Sequence, residues 1–160
     1  SGGNLNEGIF RGETINTPSM VCVEDELDGL TWAESIGGAT ALLARSNDNL
    51  AAIEYWVAQT DWVSFLASDP ANRSCTSVCL SIVDPWFLGL APDGQAAIPK
   101  KIDALLEHEA VAYDINGYRA APPGLRLWAG ATVEVADLQA LFPWLGWAYA
   151  VVKHDIPAAA

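Results

Sequence analysis

The chain has 160 residues, 51% of them apolar and seven of them tryptophan, and a net charge of −12. Its length is that of one domain able to bury roughly 70% of its unfolded surface, its apolar share excludes disorder, and so many large apolar groups suggest surface meant to be covered by another body. The acidity argues against nucleic-acid binding, which rests on clustered Lys and Arg, and the sequence shows neither a run of 18 apolar residues to span a membrane nor a signal peptide at Ser1-Gly2-Gly3-Asn4.

Residues 1–16, Gly-rich and polar, read as an extended arm. Thr17-Pro18 reads as a helix start, because Thr caps helices and Pro suits the first helical position. Met20, Val23, Leu27 and Leu30 then recur at helical steps as one apolar stripe, with Glu24, Asp25 and Glu26 in the early turns that favour acids; Gly37-Gly38 stops the helix. A second helix is expected from Ala39 to Val57, with Leu42, Leu43, Leu50, Ile53 and Val57 on one side. Asp61 to Phe65 suggests a short strand, and Ser77 to Val83 is a strand closed by the turn signal Asp84-Pro85. Ile98, Ile102, Leu105 and Leu106 mark a third helix that begins or bends near Pro99. Val111 to Ile115 and Leu125 to Ala129 read as two further strands, separated by Asn116-Gly117 and Pro122-Pro123-Gly124. A last helix runs from Val135 to Tyr149, with a kink expected at Pro143. The fold class is α+β: a small, partly antiparallel sheet with helices packed on it.

Cys22, Cys75 and Cys79 have no metal-ligand spacing. Along a strand, Cys75 and Cys79 would stand about 13 Å apart, too far for a disulfide or a shared zinc. Reduced, buried thiols are expected, and with them a cytoplasmic location.

Arg126 is the side chain with most chemical promise. Alternation along Leu125-Arg126-Leu127-Trp128 sends the leucines to the core and puts Arg126 beside Trp128, on a strand entered from a stiff Pro-Pro-Gly turn. A guanidinium held there can fork onto a carboxylate, or it can simply lie over Trp128 as a cation–π pair. Arg119, in the preceding loop, offers a second positive group, with an exposed loop arginine as the plainer alternative. Asn16 and Thr17 would place an amide and a hydroxyl beside the free N–H groups of a helix start, where anions bind. His108 and His154 read as solvated, with no metal ligands around them. Lys100 and Lys101 at a helix start and Lys153 in a polar tail lack the apolar pocket that activates a lysine, and no Ser-His-acid set is present. The residues therefore offer anion-binding parts and no catalytic group.

Three stretches together carry a family resemblance. They are Gly8-Ile9-Phe10-Arg11-Gly12-Glu13-Thr14-Ile15-Asn16-Thr17-Pro18-Ser19-Met20; Arg73-Ser74-Cys75-Thr76-Ser77-Val78-Cys79; and Ala112-Tyr113-Asp114-Ile115 through Tyr118-Arg119 and Pro122 to Glu134. In order and spacing the chain resembles the C-terminal portion of phosphoserine aminotransferases of a bacterial type. That resemblance implies part of a fold-type I, pyridoxal-phosphate-dependent homodimer exchanging an amino group between glutamate and 3-phosphohydroxypyruvate in serine biosynthesis, with phosphoserine, glutamate and their keto acids as small-molecule substrates. It implies that Arg126 grips the substrate α-carboxylate, and that Asn16 and Thr17 reach the cofactor phosphate of the partner subunit. Residues 1–38 would end the large domain, and 39–160 would form the small domain with its linking helix. The family's Schiff-base lysine lies upstream of this sequence, so the chain alone is expected to be inactive and not to hold the cofactor. Two other readings stand beside this one: a free-standing α+β module that binds a small anion or regulates, and a structural domain whose tryptophan-rich surface pairs with a partner.

Overall fold

A computed structural model describes residues 7–14, 16–118 and 120–156. Arg119 lies outside the described residues. The chain divides into two compact units, Ser1–Leu42 and Leu43–Ala160.

The extended arm expected over residues 1–16 is interrupted at Glu7–Arg11, while its residues 1–6 and 15 lie outside the described residues. Glu7–Arg11 is a 3-10 turn with an ion pair between its end residues at 3.7 Å. Helix α1 spans Met20–Ser35 and starts two residues later than expected: Ser19 is the N-cap, its hydroxyl accepting from the Cys22 N–H at 3.5 Å. The glycine stop is as read, with φ of 113° at Gly37 and 68° at Gly38, values that side-chain-bearing residues rarely take. None of the α1 residues is buried, and Met20, Leu27 and Leu30 are more than half exposed.

Helix α2, Gly38–Ala58, runs on into the second unit, where Ser46, Asn49 and Ile53 are buried. Leu43, expected on the apolar side, is exposed. Strand β1 (Val63–Phe65), strand β2 (Ser77–Ile82), the short helix α3 (Pro85–Leu88), α4 (Pro92–His108), β3 (Gly124–Trp128) and α5 (Val135–Asp155) follow. The sheet order is β1-β2-β3, and both pairings are antiparallel, so the sheet is more regular than the partly antiparallel one expected.

Strand alternation explains the two faces of this sheet. Val63, Val78, Leu80, Ile82, Leu125 and Leu127 point into one core with Ile53, Ile98, Ile102, Leu106, Leu138 and Leu145 from the helices. Ser64, Ser77, Cys79, Ser81, Arg126 and Trp128 occupy the alternate positions and are exposed or half-buried. Tryptophan also serves the core: Trp62 stacks on Tyr149 at 4.1 Å, and Trp56 stacks on Phe142 at 4.9 Å.

Several expectations are corrected. Helix α4 begins at Pro92, seven residues before Pro99, which lies buried inside it. Helix α5 extends six residues past Tyr149 and carries Pro143 inside it. It is long and apolar enough to cross a membrane by length and composition, yet it contributes Leu138, Leu145, Ala148, Tyr149 and Val152 to the core. Lys153 accordingly sits in the last turn of α5, not in a tail, and pairs with Asp84. Lys100 and Lys101 lie along α4. Cys22 is exposed and Cys75 and Cys79 are half-buried, so the thiols are free but not buried.

The strand expected at Val111–Ile115 is absent. Ala110 and Asp114 adopt φ of 55° and 57°, which breaks any extended run. Ala110 closes α4 in a Schellman arrangement, with Val111 N–H on the Leu106 carbonyl at 2.9 Å and Ala110 N–H on that of Glu107 at 2.9 Å. The segment that follows is irregular and lies along the free edge of β3.

Candidate functional site

The site is built on that edge. Asp103 of α4 accepts from the Ile115 N–H at 2.7 Å and from the Asn116 side-chain amide at 2.6 Å, fastening the irregular segment to the helix. Ile115 in turn accepts from the Arg126 N–H at 2.7 Å, and Gly117 donates to the Gly124 carbonyl at 3.1 Å. β3 is thereby bonded on both sides, by β2 and by the 115–117 segment. Gly124 lies where the chain enters β3 so close to β2 that a Cβ would collide with the Leu80 carbonyl. Arg126 is opposite Cys79 and thus rises from the small, polar face of the sheet.

The loop behind β3 is held with equal care. Asn49 of α2, 1% exposed, donates its amide to the carbonyls of Ala129, Gly130 and Val133 at 3.1, 3.2 and 2.9 Å. Arg45 donates to the Ala131 carbonyl at 2.7 Å and pairs with Glu134. These contacts fix the residues directly after Trp128. Neither Asn49 nor Asp103 was singled out from the sequence. The signal for Asn49 was present, a polar residue at a stripe position four before Ile53.

The guanidinium of Arg126 pairs with Asp114 and also donates to the Asp114 carbonyl at 3.4 Å. Its centre lies 4.5 Å from the ring centroid of Tyr118, so the aromatic partner is Tyr118 and not Trp128. The Tyr118 hydroxyl meets that of Ser77 at 3.2 Å. The Ser77 hydroxyl, and then the Arg126 guanidinium, hold the Tyr118 phenol below its ordinary value; Tyr118 and then Asp114 raise that of Arg126. Arg126 Nε is buried and has no hydrogen-bond partner. Beside the pair opens a cleft of about 400 Å³, lined among others by Tyr113, Trp128, Leu138 and Leu141. Chemically, this is a half-used guanidinium fork on a rigid strand, set against an aromatic face, at the mouth of a largely apolar cleft. It can bind and orient a carboxylate.

The remaining candidates fall elsewhere. Asn16 and Thr17 are exposed residues of the first unit, and the start of α1 itself is capped by Ser19. His108 and His154 are exposed beside Glu109 and Asp155. Among the described residues, no three of His, Cys, Asp and Glu gather as a metal would require.

The chain has the α+β fold found within solved phosphoserine aminotransferases. It matches two structures from work on radiation damage of that protein's Schiff base, with TM-scores of 0.66 and 0.67 at 17% identity, over 85% of this chain and 35% and 34% of theirs. The sequence comparison is closer. Over 152 residues the chain is 51% identical to the phosphoserine aminotransferase of Methanosarcina barkeri (strain Fusaro / DSM 804) and 49% identical to that of Methanosarcina mazei (strain ATCC BAA-159 / DSM 3647 / Goe1 / Go1 / JCM 11833 / OCM 88). Each match takes in 95% of this chain, which spans 38% of the length of those curated relatives, consistent with the C-terminal portion expected. No family model matches the chain. The resemblance read from the sequence is thus borne out over nearly the whole chain.

Proposed function

We propose that the chain is part of a phosphoserine aminotransferase and that it supplies the grip on the substrate α-carboxylate through Arg126. The reaction would pass an amino group from glutamate to 3-phosphohydroxypyruvate, giving O-phosphoserine and 2-oxoglutarate. The observation that carries the reading is Arg126 itself, held on β3 with a side-chain carboxylate already on one of its donors. Both substrates present an α-carboxylate, which a planar guanidinium binds better than an ammonium does.

Pyridoxal phosphate would supply the electron sink of the reaction in the complete protein. The residues of this chain do not fit it alone. Lys100 and Lys101 are exposed on α4, and Lys153 is committed to Asp84, so none lies in the apolar pocket a Schiff-base lysine needs. Asn16 and Thr17 remain for the cofactor phosphate of a partner subunit in a homodimer; both are exposed, which suits contact with another body. On this reading residues 1–38 end the large domain, 39–160 form the small domain, the compartment is the cytoplasm, and neither nucleic acid nor membrane is a partner.

Titrating the chain with glutamate and with O-phosphoserine tests the grip. Both should bind weakly, and Arg126→Ala should abolish both. Binding that survives Arg126→Ala for either ligand would sink the assignment. Mixed with pyridoxal phosphate, the chain should give no lysine-dependent visible band, and such a band would refute its catalytic incompleteness.

A further inference from the structure

We infer that Asp114 is a built-in stand-in for the ligand carboxylate, holding the Arg126 guanidinium when no ligand is present and yielding its place when one arrives. The inference rests on the carboxylate-grip reading above and adds to it a residue that sets affinity.

Its first support is the incompleteness of the Arg126–Asp114 pair. A carboxylate approaching an arginine side-on takes two parallel N–H bonds. Asp114 takes only Nη2, and Nε, buried, has no partner at all. A ligand carboxylate free to approach in the guanidinium plane can satisfy both donors, whereas Asp114 is tethered by its own backbone. The Tyr118 ring at 4.5 Å covers a face of the guanidinium and leaves its edges for in-plane bonds.

The second support is how Asp114 is mounted. Its neighbour Ile115 is tied through its N–H to Asp103 and through its carbonyl to Arg126. Among the described residues Asp114 bonds only to Arg126, and its side chain is 76% exposed, against 21% for Arg126. The carboxylate can therefore turn out to water while the backbone on its C-terminal side stays anchored. Water would rehydrate a displaced Asp114 at little cost, while the less exposed guanidinium keeps a partner throughout. The cleft lies on this same side, with Asp114 and Arg126 both in its wall.

The test uses 2-oxoglutarate as probe and follows the Arg126 Nε–H resonance and the ligand dissociation constant. Asp114→Asn and Asp114→Gly both remove the charge while accepting the left-handed backbone at this position. Each should bind the probe about fivefold more tightly, the worth of a part-exposed ion pair that no longer competes. Addition of probe should shift the Nε–H signal as it gains a bond, and Arg126→Lys should bind nothing. Equal affinity in the parent chain and both variants, all lost with Arg126→Lys, overturns the stand-in and leaves the carboxylate grip intact. Weaker binding in the variants also overturns it, because Asp114 would then be helping the ligand. Absence of Arg126-dependent binding in every form defeats the grip reading, and the stand-in with it.

Discussion

Replacing Asn49 should loosen the loop behind the site more than any exposed change near it. The side-chain amide is 1% exposed and donates to three carbonyls, those of Ala129, Gly130 and Val133, while its own Oδ1 has no partner. Three carbonyls around one nitrogen also settle which end of the amide faces them, since an oxygen there would be repelled. In Asn49→Ala the two amide protons are lost and the carbonyls have no replacement donor, a cost of about 1.5 kcal/mol per proton. The emptied volume adds about 0.7 kcal/mol, and removal of the unpartnered Oδ1 offsets about 1 kcal/mol. The net loss is about 3 kcal/mol, seen in urea unfolding as a midpoint lowered by about 1.5 M for a slope near 2 kcal/mol/M. Asn49→Leu refills the space without restoring donors and should still cost about 2 kcal/mol. If the leucine variant unfolds within about 0.5 kcal/mol of the parent, the carbonyls do not depend on this amide and the reasoning fails.

Ala110→Gly should stabilise the chain by about 1 kcal/mol, because the left-handed φ of 55° that closes α4 carries a penalty for any residue with a Cβ; a thermal midpoint unchanged or lowered would contradict it. Gly124→Ala should cost about 3 kcal/mol or more, since its Cβ would meet the Leu80 carbonyl and force β2 from β3; circular dichroism melts report it, and a tolerated variant would refute the close approach. Burial alone would raise the Asp84 pKa, but the Lys153 ammonium and the Trp86 N–H outweigh it and hold it below the ordinary 3.8. A depressed carboxylate stabilises the fold fully above its unfolded value and loses that contribution as pH falls through the lower folded one. The stability gap between the parent and Asp84→Asn should therefore be constant from pH 5 to 8 (about 1 kcal/mol for a part-exposed pair) and narrow below pH 3.8. Urea midpoints at pH 3 and pH 7 that give the same gap would exclude the linkage.

Much of the frame was legible because it follows from local periods. Ser77–Ile82 alternates, and the structure buries Val78, Leu80 and Ile82 while leaving Ser77, Cys79 and Ser81 half-buried. The same alternation correctly put Arg126 on the face opposite Leu125 and Leu127. The Gly37-Gly38 stop was legible for a different reason, since few other residues take those backbone angles. What could not be read was decided by contacts between distant residues. Ala112-Tyr113-Asp114-Ile115 has the composition of a strand, but Asp103, twelve residues before Ile115, captures its backbone and fixes a different path.

The site followed the same rule. Sequence alternation offered Trp128 as the neighbour of Arg126, because residues two apart on a strand share a face. Along a strand, however, that step is about 6.6 Å, and the guanidinium turned to nearer partners in the irregular segment. Those partners, Asp114 and Tyr118, are brought there by the Asp103 anchor and the Tyr118–Ser77 hydroxyl contact, neither of which has a local signature. The consequence is functional. An arginine lying over Trp128 would have kept both in-plane donors free, and its affinity for a carboxylate would depend on β3 alone. Because the 113–118 segment supplies both the carboxylate on Arg126 and the aromatic face, the proposed affinity would be set by that segment, and ultimately by Asp103, the α4 residue that shapes it.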